Sequence, residues 1–224
     1  MNIDSNARNT VTLPNGARAH HEHAAQNDVI KKNFEAVRPG VWTFVGNGLS
    51  NQTFIEGPGG IIAIDSGESI EEMRAALHEL RIHTPRPIAA VIYTHFHYIE
   101  GTKAILEEGN HVNPLPIYGH EKIAFNRSRT SSEISPAYVR GLVEQFAMMM
   151  PLEGPDATVN IGLGFYYRNP AHAPFTPGHI PVTHTLADGS TTTIAGLRVE
   201  AYHAPSDADD SMTLWFPELG TCVH

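Results

Sequence analysis

The 224-residue chain holds a single cysteine, Cys222. That excludes an internal disulfide framework and fits a reducing compartment without proving one. Charged residues are also few, at 17%, and no long run of one sign occurs. With 41% hydrophobic residues the chain reads as folded, since it has enough apolar surface to bury a core. A net charge of −9 leaves no basic stripe to neutralise phosphates, which argues against a nucleic-acid partner. Long apolar runs are missing too: no stretch approaches the ~18 residues of a membrane span. Met1 to His20 lacks the apolar heart of a signal peptide. The expectation is a soluble protein of the cytoplasm, or of the periplasm if a leader was removed before Met1.

Histidine, by contrast, is abundant, with fourteen copies. Abundance alone locates nothing: His20, His21 and His23 fall in a polar leader and read as solvated. Residues 1–39 show little periodicity and are expected to form an N-terminal extension, with the domain proper at residues 40–224. From Gly40 on, Val41-Trp42-Thr43-Phe44-Val45 and Gln52-Thr53-Phe54-Ile55 alternate as half-buried strands do, and Ile61-Ile62-Ala63-Ile64 reads as a buried strand ending at Asp65. Ser69 and Glu72 have the spacing of a helix start, and Ile70, Met73, Leu77 and Leu80 share one helical face. Ile88 to Tyr93 is a second buried strand that runs into Thr94-His95-Phe96-His97. Ser135-Pro136 opens a longer helix with Val139, Leu142, Val143, Phe146 and Met150 expected inward. Pro151 to Pro181 is irregular, and the tail returns to strands at 191–194, 197–202, 212–216 and 220–223. Cys222, ending the last of these, is expected to be buried rather than reactive.

Two imidazoles two residues apart, just past a buried strand, project to the same side of an extended chain. They can converge on one ion, and a catalytic zinc takes three protein ligands plus water. The carboxyl end of a strand is also where open α/β sheets place ligands. Other chemistries lack their context: no serine sits in a nucleophile elbow, and Gly57-Pro58-Gly59-Gly60 lacks the lysine and helix of a phosphate loop.

Val41-Trp42, Asn51 to Gly57, Ile64-Asp65-Ser66-Gly67 and Tyr93-Thr94-His95-Phe96-His97 resemble the opening of the metallo-β-lactamase superfamily. Within it, Ile161-Gly162-Leu163-Gly164, His203-Ala204-Pro205-Ser206-Asp207 and Leu214 to Leu219 are similar to the linear alkylsulfatases. The resemblance implies an α/β fold, the αββα sandwich of that superfamily, and a chain that stops after an apolar strand is expected to be its N-terminal part. It also implies metal ligands: His95 and His97 first, then Asp207 (with Asp209 and Asp210 as neighbours of unfixed register) and His224. The superfamily continues T-H-x-H-x-D-H, whereas this chain has Ile99 and Glu100 at the last two positions. Isoleucine cannot ligate, so a second metal is in doubt, and Glu100 is the one oxygen ligand left for it. Asp65 is expected to brace the metal loop, Tyr98 is a candidate for polarising a leaving group, and His203 is an alternative ligand or acid.

The activity so implied is hydrolysis of an alkyl sulfate ester by a zinc-bound hydroxide, with one or two zinc ions. The alternatives are a lactone, thioester or lactam hydrolase of the same fold, or an inactive fragment that needs a complementary C-terminal chain. The parent protein is expected to be a homodimer.

Overall fold

The computed structural model describes residues 9–224. A hairpin of β1 (Thr10–Thr12) and β2 (Arg18–His20) leads into α1 (His21–Val29). His20 caps that helix by accepting from Glu22 N at 3.4 Å, and His23 meets Asn160 at 3.0 Å. Two of the leader histidines are therefore engaged rather than simply solvated.

A seven-stranded sheet follows in sequence order: β3 (Asn33–Arg38), β4 (Val41–Val45), β5 (Gln52–Gly57), β6 (Gly60–Ile64), β7 (Ile88–Ile92), β8 (Ile117–Gly119) and β9 (His184–Thr185). The first four pair antiparallel and the rest parallel. Parallel pairing needs a crossover, and α2 (Ile70–His83) supplies it between β6 and β7. Ser69 caps α2 by accepting from Glu72 N at 3.1 Å, as its spacing predicts. The helices α3 (Lys103–Glu108), α4 (Ile123–Thr130) and α5 (Ser135–Gln145) follow β7 and β8. A four-stranded antiparallel sheet closes the chain: β10 (Ser190–Ile194), β11 (Leu197–His203), β12 (Met212–Phe216) and β13 (Thr221–Val223).

Two apolar cores hold three layers together. On one face of the large sheet, Phe44, Phe54, Ile61 and Val91 pack against Met73, Leu77 and Leu80 of α2 and Ile105 of α3. On the other face, Ile55, Ile62, Ile64 and Ile92 meet Leu197, Val199, Leu214 and Phe216 of the small sheet. Each fully buried side chain of this size contributes about 1.5–3 kcal/mol of transfer free energy. Strands with both faces covered read as continuous apolar runs, which is why β6 and β7 stand out in the sequence.

Three expectations are corrected. A strand precedes Gly40: Phe34 of β3 stacks near Phe44 and Phe54, at 5.5 and 6.1 Å. It is the one apolar side chain of β3 that leaves the solvent appreciably, so the strand carries no alternating pattern. The inward face drawn for α5 is only partly buried: Phe146 is covered, but Val139 and Met150 are exposed. The helix lies over a cavity and against Tyr167, which stacks on Phe146 at 5.0 Å, and packs on neither sheet core. Cys222 is exposed, because side chains alternate along β13 and Thr221 takes the inward position.

Candidate metal centre

Two connections meet where the strands end: Asp65 to Ser69 after β6 and Thr94 to Thr102 after β7. The parallel pairing of those strands puts Ile64 beside Ile92, so the two connections emerge together. Asp65 N donates to Ile92 O at 2.9 Å, Ser66 N to Tyr98 O at 2.8 Å, and Glu100 N to Gly67 O at 3.0 Å. Met212 N donates to Thr94 O at 3.0 Å, which ties the start of β12 to the same place. The loop between β11 and β12 thereby arrives directly beside His95 and His97.

That loop carries Asp207. Its Oδ2 lies 3.1 Å from His97 Nδ1 and 3.6 Å from His95 Nε2. The two rings stand edge to face with centroids 5.1 Å apart. One nitrogen from each histidine and one oxygen of Asp207 all lie within 4.8 Å of one another. Among the described residues no other group of three or more potential ligands is brought together in this way.

The proton arrangement around His95 decides what the cluster can hold. Asp65 is buried, and burial pushes its carboxyl up to about 7 against the hydrogen bonds of Thr94; in its ionised form it accepts from Thr94 N at 2.9 Å and from Thr94 Oγ1 at 2.6 Å. The Thr94 hydroxyl has then given away its proton, so at 2.9 Å it accepts from His95 Nδ1–H. Nε2 is left with a lone pair, and it is buried without a hydrogen-bond partner. Burial pushes the His95 imidazole down to about 4, against the opposing pull of Asp207, so the ring is neutral at pH 7. A lone pair and a carboxylate thus face each other with no proton between them. A buried acceptor left without a donor, here His95 Nε2, is costly, and a divalent cation beside the exposed Asp207 carboxylate removes that cost. Two imidazoles and one carboxylate are a donor set that zinc accepts.

The remaining sequence candidates sit around this group. His224 lines a neighbouring cavity of about 360 Å³ together with Asp65, His95 and Tyr98. Its Nδ1 is engaged by Thr213 Oγ1 at 2.9 Å, which leaves it on the flank of the group. Glu100 is not brought in: Arg127 Nε donates to its Oε1 at 2.7 Å, turning the carboxylate into an ion pair. Ile99 is fully buried in the core beneath the helices. Tyr98 packs edge-on against His95 at 5.2 Å and lines the main cavity, where burial raises its phenol above the ordinary range. His203 points elsewhere, donating to Asp209 O at 2.7 Å and stacking on His120 at 4.5 Å.

The register that sequence leaves open among Asp207, Asp209 and Asp210 is fixed by Lys122, which precedes α4, and by Asn126 within it. Asp209 accepts from Lys122 Nζ at 2.8 Å and from Asn126 Nδ2 at 2.7 Å, so it anchors the loop while Asp207 faces the histidines. Asp210 is fully buried beside them. Because both bonds of Asp209 are solvent-exposed, their effect is modest. Asp209→Ala is expected to weaken metal affinity about fivefold by loosening Asp207. A calorimetric metal titration checks this, and an unchanged affinity would contradict the anchoring role.

A cavity of about 580 Å³ opens beside His97 and Asp207. Leu49, Phe96, Leu142, Phe146 and Leu163 give it apolar walls, and Glu68, Arg127 and Arg168 give it polar ones. Sequence reasoning missed Glu68, Arg127, Tyr138 and Arg168, which come from four separate segments. Glu68 alone had a signal, lying three residues past Asp65 in the same connection.

No family model matches the sequence. A linear primary-alkylsulfatase of Pseudomonas sp. (strain ATCC 19151) is 35% identical over 167 residues, 73% of this chain and 30% of that protein. An (R)-specific secondary-alkylsulfatase of Pseudomonas sp. is 37% identical over 91 residues, 39% of this chain and 14% of that protein. The chain therefore spans less than a third of the length of these curated relatives. Among solved structures, the stereoselective inverting sec-alkylsulfatase Pisa1 from Pseudomonas sp. superposes with a TM-score of 0.74 at 23% identity, over 88% of this chain and 31% of that one. A metallo-β-lactamase from Pontibacter korlensis gives 0.51 at 16% identity, over 84% of this chain and 68% of that one. No helix among the described residues is long and apolar enough to cross a membrane. By fold the chain resembles the metallo-β-lactamase structures, and by sequence it is similar to the alkylsulfatases.

Proposed function

We propose that the chain is part of a metal-dependent hydrolase acting on alkyl sulfate esters. The observation that carries this reading is the inward-facing group of His95, His97 and Asp207 at the edge of an amphiphilic cavity. A divalent metal there, zinc by the donor set, supplies Lewis acidity that makes water nucleophilic near neutral pH and offsets developing negative charge. His95 and His97 would hold it through ring-nitrogen lone pairs, and Asp207 would contribute a carboxylate oxygen. Asp65 acts through Thr94 to keep the His95 lone pair on Nε2. The walls formed by Leu142, Phe146 and Leu163 offer apolar surface to an aliphatic chain, and the apolar area buried on binding sets how strongly chain length affects it. Support for sulfate over other leaving groups comes from the relatives, two of which are named for alkyl sulfates.

The test is a substrate panel on the metal-loaded protein: a medium-chain alkyl sulfate, a lactone, a thioester and a β-lactam. Alkyl sulfate turnover at least tenfold above the others is the expected outcome. Preferential turnover of the lactone, thioester or lactam would keep the hydrolase and replace the substrate. No turnover of any of the four would assign catalysis to a longer protein of which this chain is a part.

A further inference from the structure

The N-terminal hairpin and α1 are tied to the irregular segment Pro151 to Pro181 at two points. In the β1–β2 turn, Asn15 Nδ2 donates to Leu152 O at 3.2 Å and to Thr158 O at 3.1 Å. Asn15 O accepts from Gly154 N at 2.8 Å. Gly16 sits at φ +86, and a Cβ on it would lie 3.2 Å from Gly154 Cα, so this close approach of two backbones needs glycine.

The second tie is Asn160, which is only 7% exposed. Its Nδ2 donates to His23 O at 3.2 Å and to Asn27 Oδ1 at 2.8 Å, both on α1. Its Oδ1 accepts from Gly162 N at 3.0 Å. Because that oxygen is an acceptor, His23 Nε2, 3.0 Å away, carries the proton and donates to it. One side chain thus joins α1 to the backbone at Gly162, and little water is at hand to replace a lost contact.

The bond to Gly162 enters a tight turn. Ile161 N donates to Gly164 O at 2.9 Å, and Leu163 stands at the tip, 62% exposed. Leu163 lines both the cavity of about 580 Å³ beside His97 and the cavity of about 360 Å³ beside His95, whereas Asn160 lines neither. A side chain so exposed is not held by packing. Its position follows the turn that carries it, and Asn160 fixes the turn.

We propose that the β1–β2 hairpin and α1 clamp the wall of the substrate cavity, and that Asn160 is a positioning residue for selectivity toward the length of an aliphatic chain, acting through Leu163. The proposal rests on the hydrolase reading for what the cavity is used for, but its test needs no turnover.

The probes are 1-hexanol and 1-decanol, which offer aliphatic chains of two lengths and no ester to cleave. Calorimetry gives their affinities for the full chain as wild type, Asn160→Ala, His23→Ala, Leu163→Ala and Asn160→Ala/Leu163→Ala. In Asn160→Ala the preference for decanol over hexanol should fall about fourfold, the effect of losing roughly one methylene's burial. A smaller fall is expected in His23→Ala, which removes a single bond at an exposed position and reads the clamp even if Asn160→Ala does not fold. Adding Asn160→Ala to Leu163→Ala should cause no further loss, since the clamp acts through that side chain. Hydrogen exchange at Gly162 to Gly164 should be about tenfold faster in Asn160→Ala, with β6 and β7 unchanged. An unchanged preference in both folded single variants at Asn160 and His23 overturns the proposal. So does a wild type that binds neither alcohol, or a full additional loss on top of Leu163→Ala. A clamp effect on alcohol binding in a protein that turns over no alkyl sulfate would sink the hydrolase reading and leave the clamp standing.

Discussion

The His95→Ala/His97→Ala variant is expected to lose at least about 10³-fold in turnover while keeping its fold. The double substitution removes two of three ligands, and the remaining Asp207 is solvent-exposed and cannot hold an ion alone. A metal of this kind supplies several kcal/mol of transition-state stabilisation, and each 1.36 kcal/mol is about tenfold in rate. The fold survives because neither ring belongs to an apolar core. Removing His95 even relieves a buried, unpaired nitrogen, so the metal-free variant should unfold at a denaturant concentration no lower than metal-free wild type. Rates with added metal, together with urea unfolding of both metal-free proteins, check the two halves separately. A variant that turns over at the wild-type rate would remove the cluster from the mechanism.

Asp65→Asn is expected to cost roughly 10²-fold or more in turnover without touching a ligand. In the native arrangement protons run one way: Thr94 Oγ1–H to Asp65, and His95 Nδ1–H to Thr94. An asparagine that turns its amide toward Thr94 donates instead of accepting. The threonine hydroxyl then donates to His95 Nδ1, and the ring proton moves to Nε2, the atom that faces Asp207. A nitrogen carrying a proton cannot ligate, so metal affinity should fall about 10–100-fold, the usual effect of removing such an orienting partner. Asparagine is the right replacement, because Asp65 sits at φ 57, a left-handed conformation that asparagine tolerates and alanine does not favour. Nitrogen-15 spectra of the metal-free protein report the tautomer directly. His95 should be protonated at Nδ1 in wild type and at Nε2 in the variant; the same tautomer in both would break this chain of reasoning.

The parts legible in the sequence are those where one physical signal dominates. Strands β6 and β7 are apolar throughout because both faces are covered, and Ser69 announces α2 because a helix start needs an acceptor for its free N–H groups. His95 and His97 could be paired because two residues on one connection need no tertiary knowledge. Asp207 came from resemblance, and its register over Asp209 and Asp210 became clear only when Lys122 and Asn126, more than eighty residues earlier, were seen to hold Asp209. Glu100 shows the reverse. Its spacing matches a ligand position, and in the fold Arg127 on α4 pairs with Oε1 while Oε2 is buried without a partner; sequence spacing cannot foresee a partner that tertiary packing brings. The same holds for the cavity walls: α5 is amphipathic, yet its apolar face covers a cavity instead of a core, so Val139 and Met150, which the helical period points inward, are exposed.

The most direct test is a zinc titration of the metal-free wild-type chain, read by calorimetry and confirmed by elemental analysis. The account predicts saturation at about one ion per chain, held by His95, His97 and Asp207, and no tight binding once both histidines are alanine. A wild-type chain that binds no zinc, or a double variant that binds as much as wild type, would contradict it.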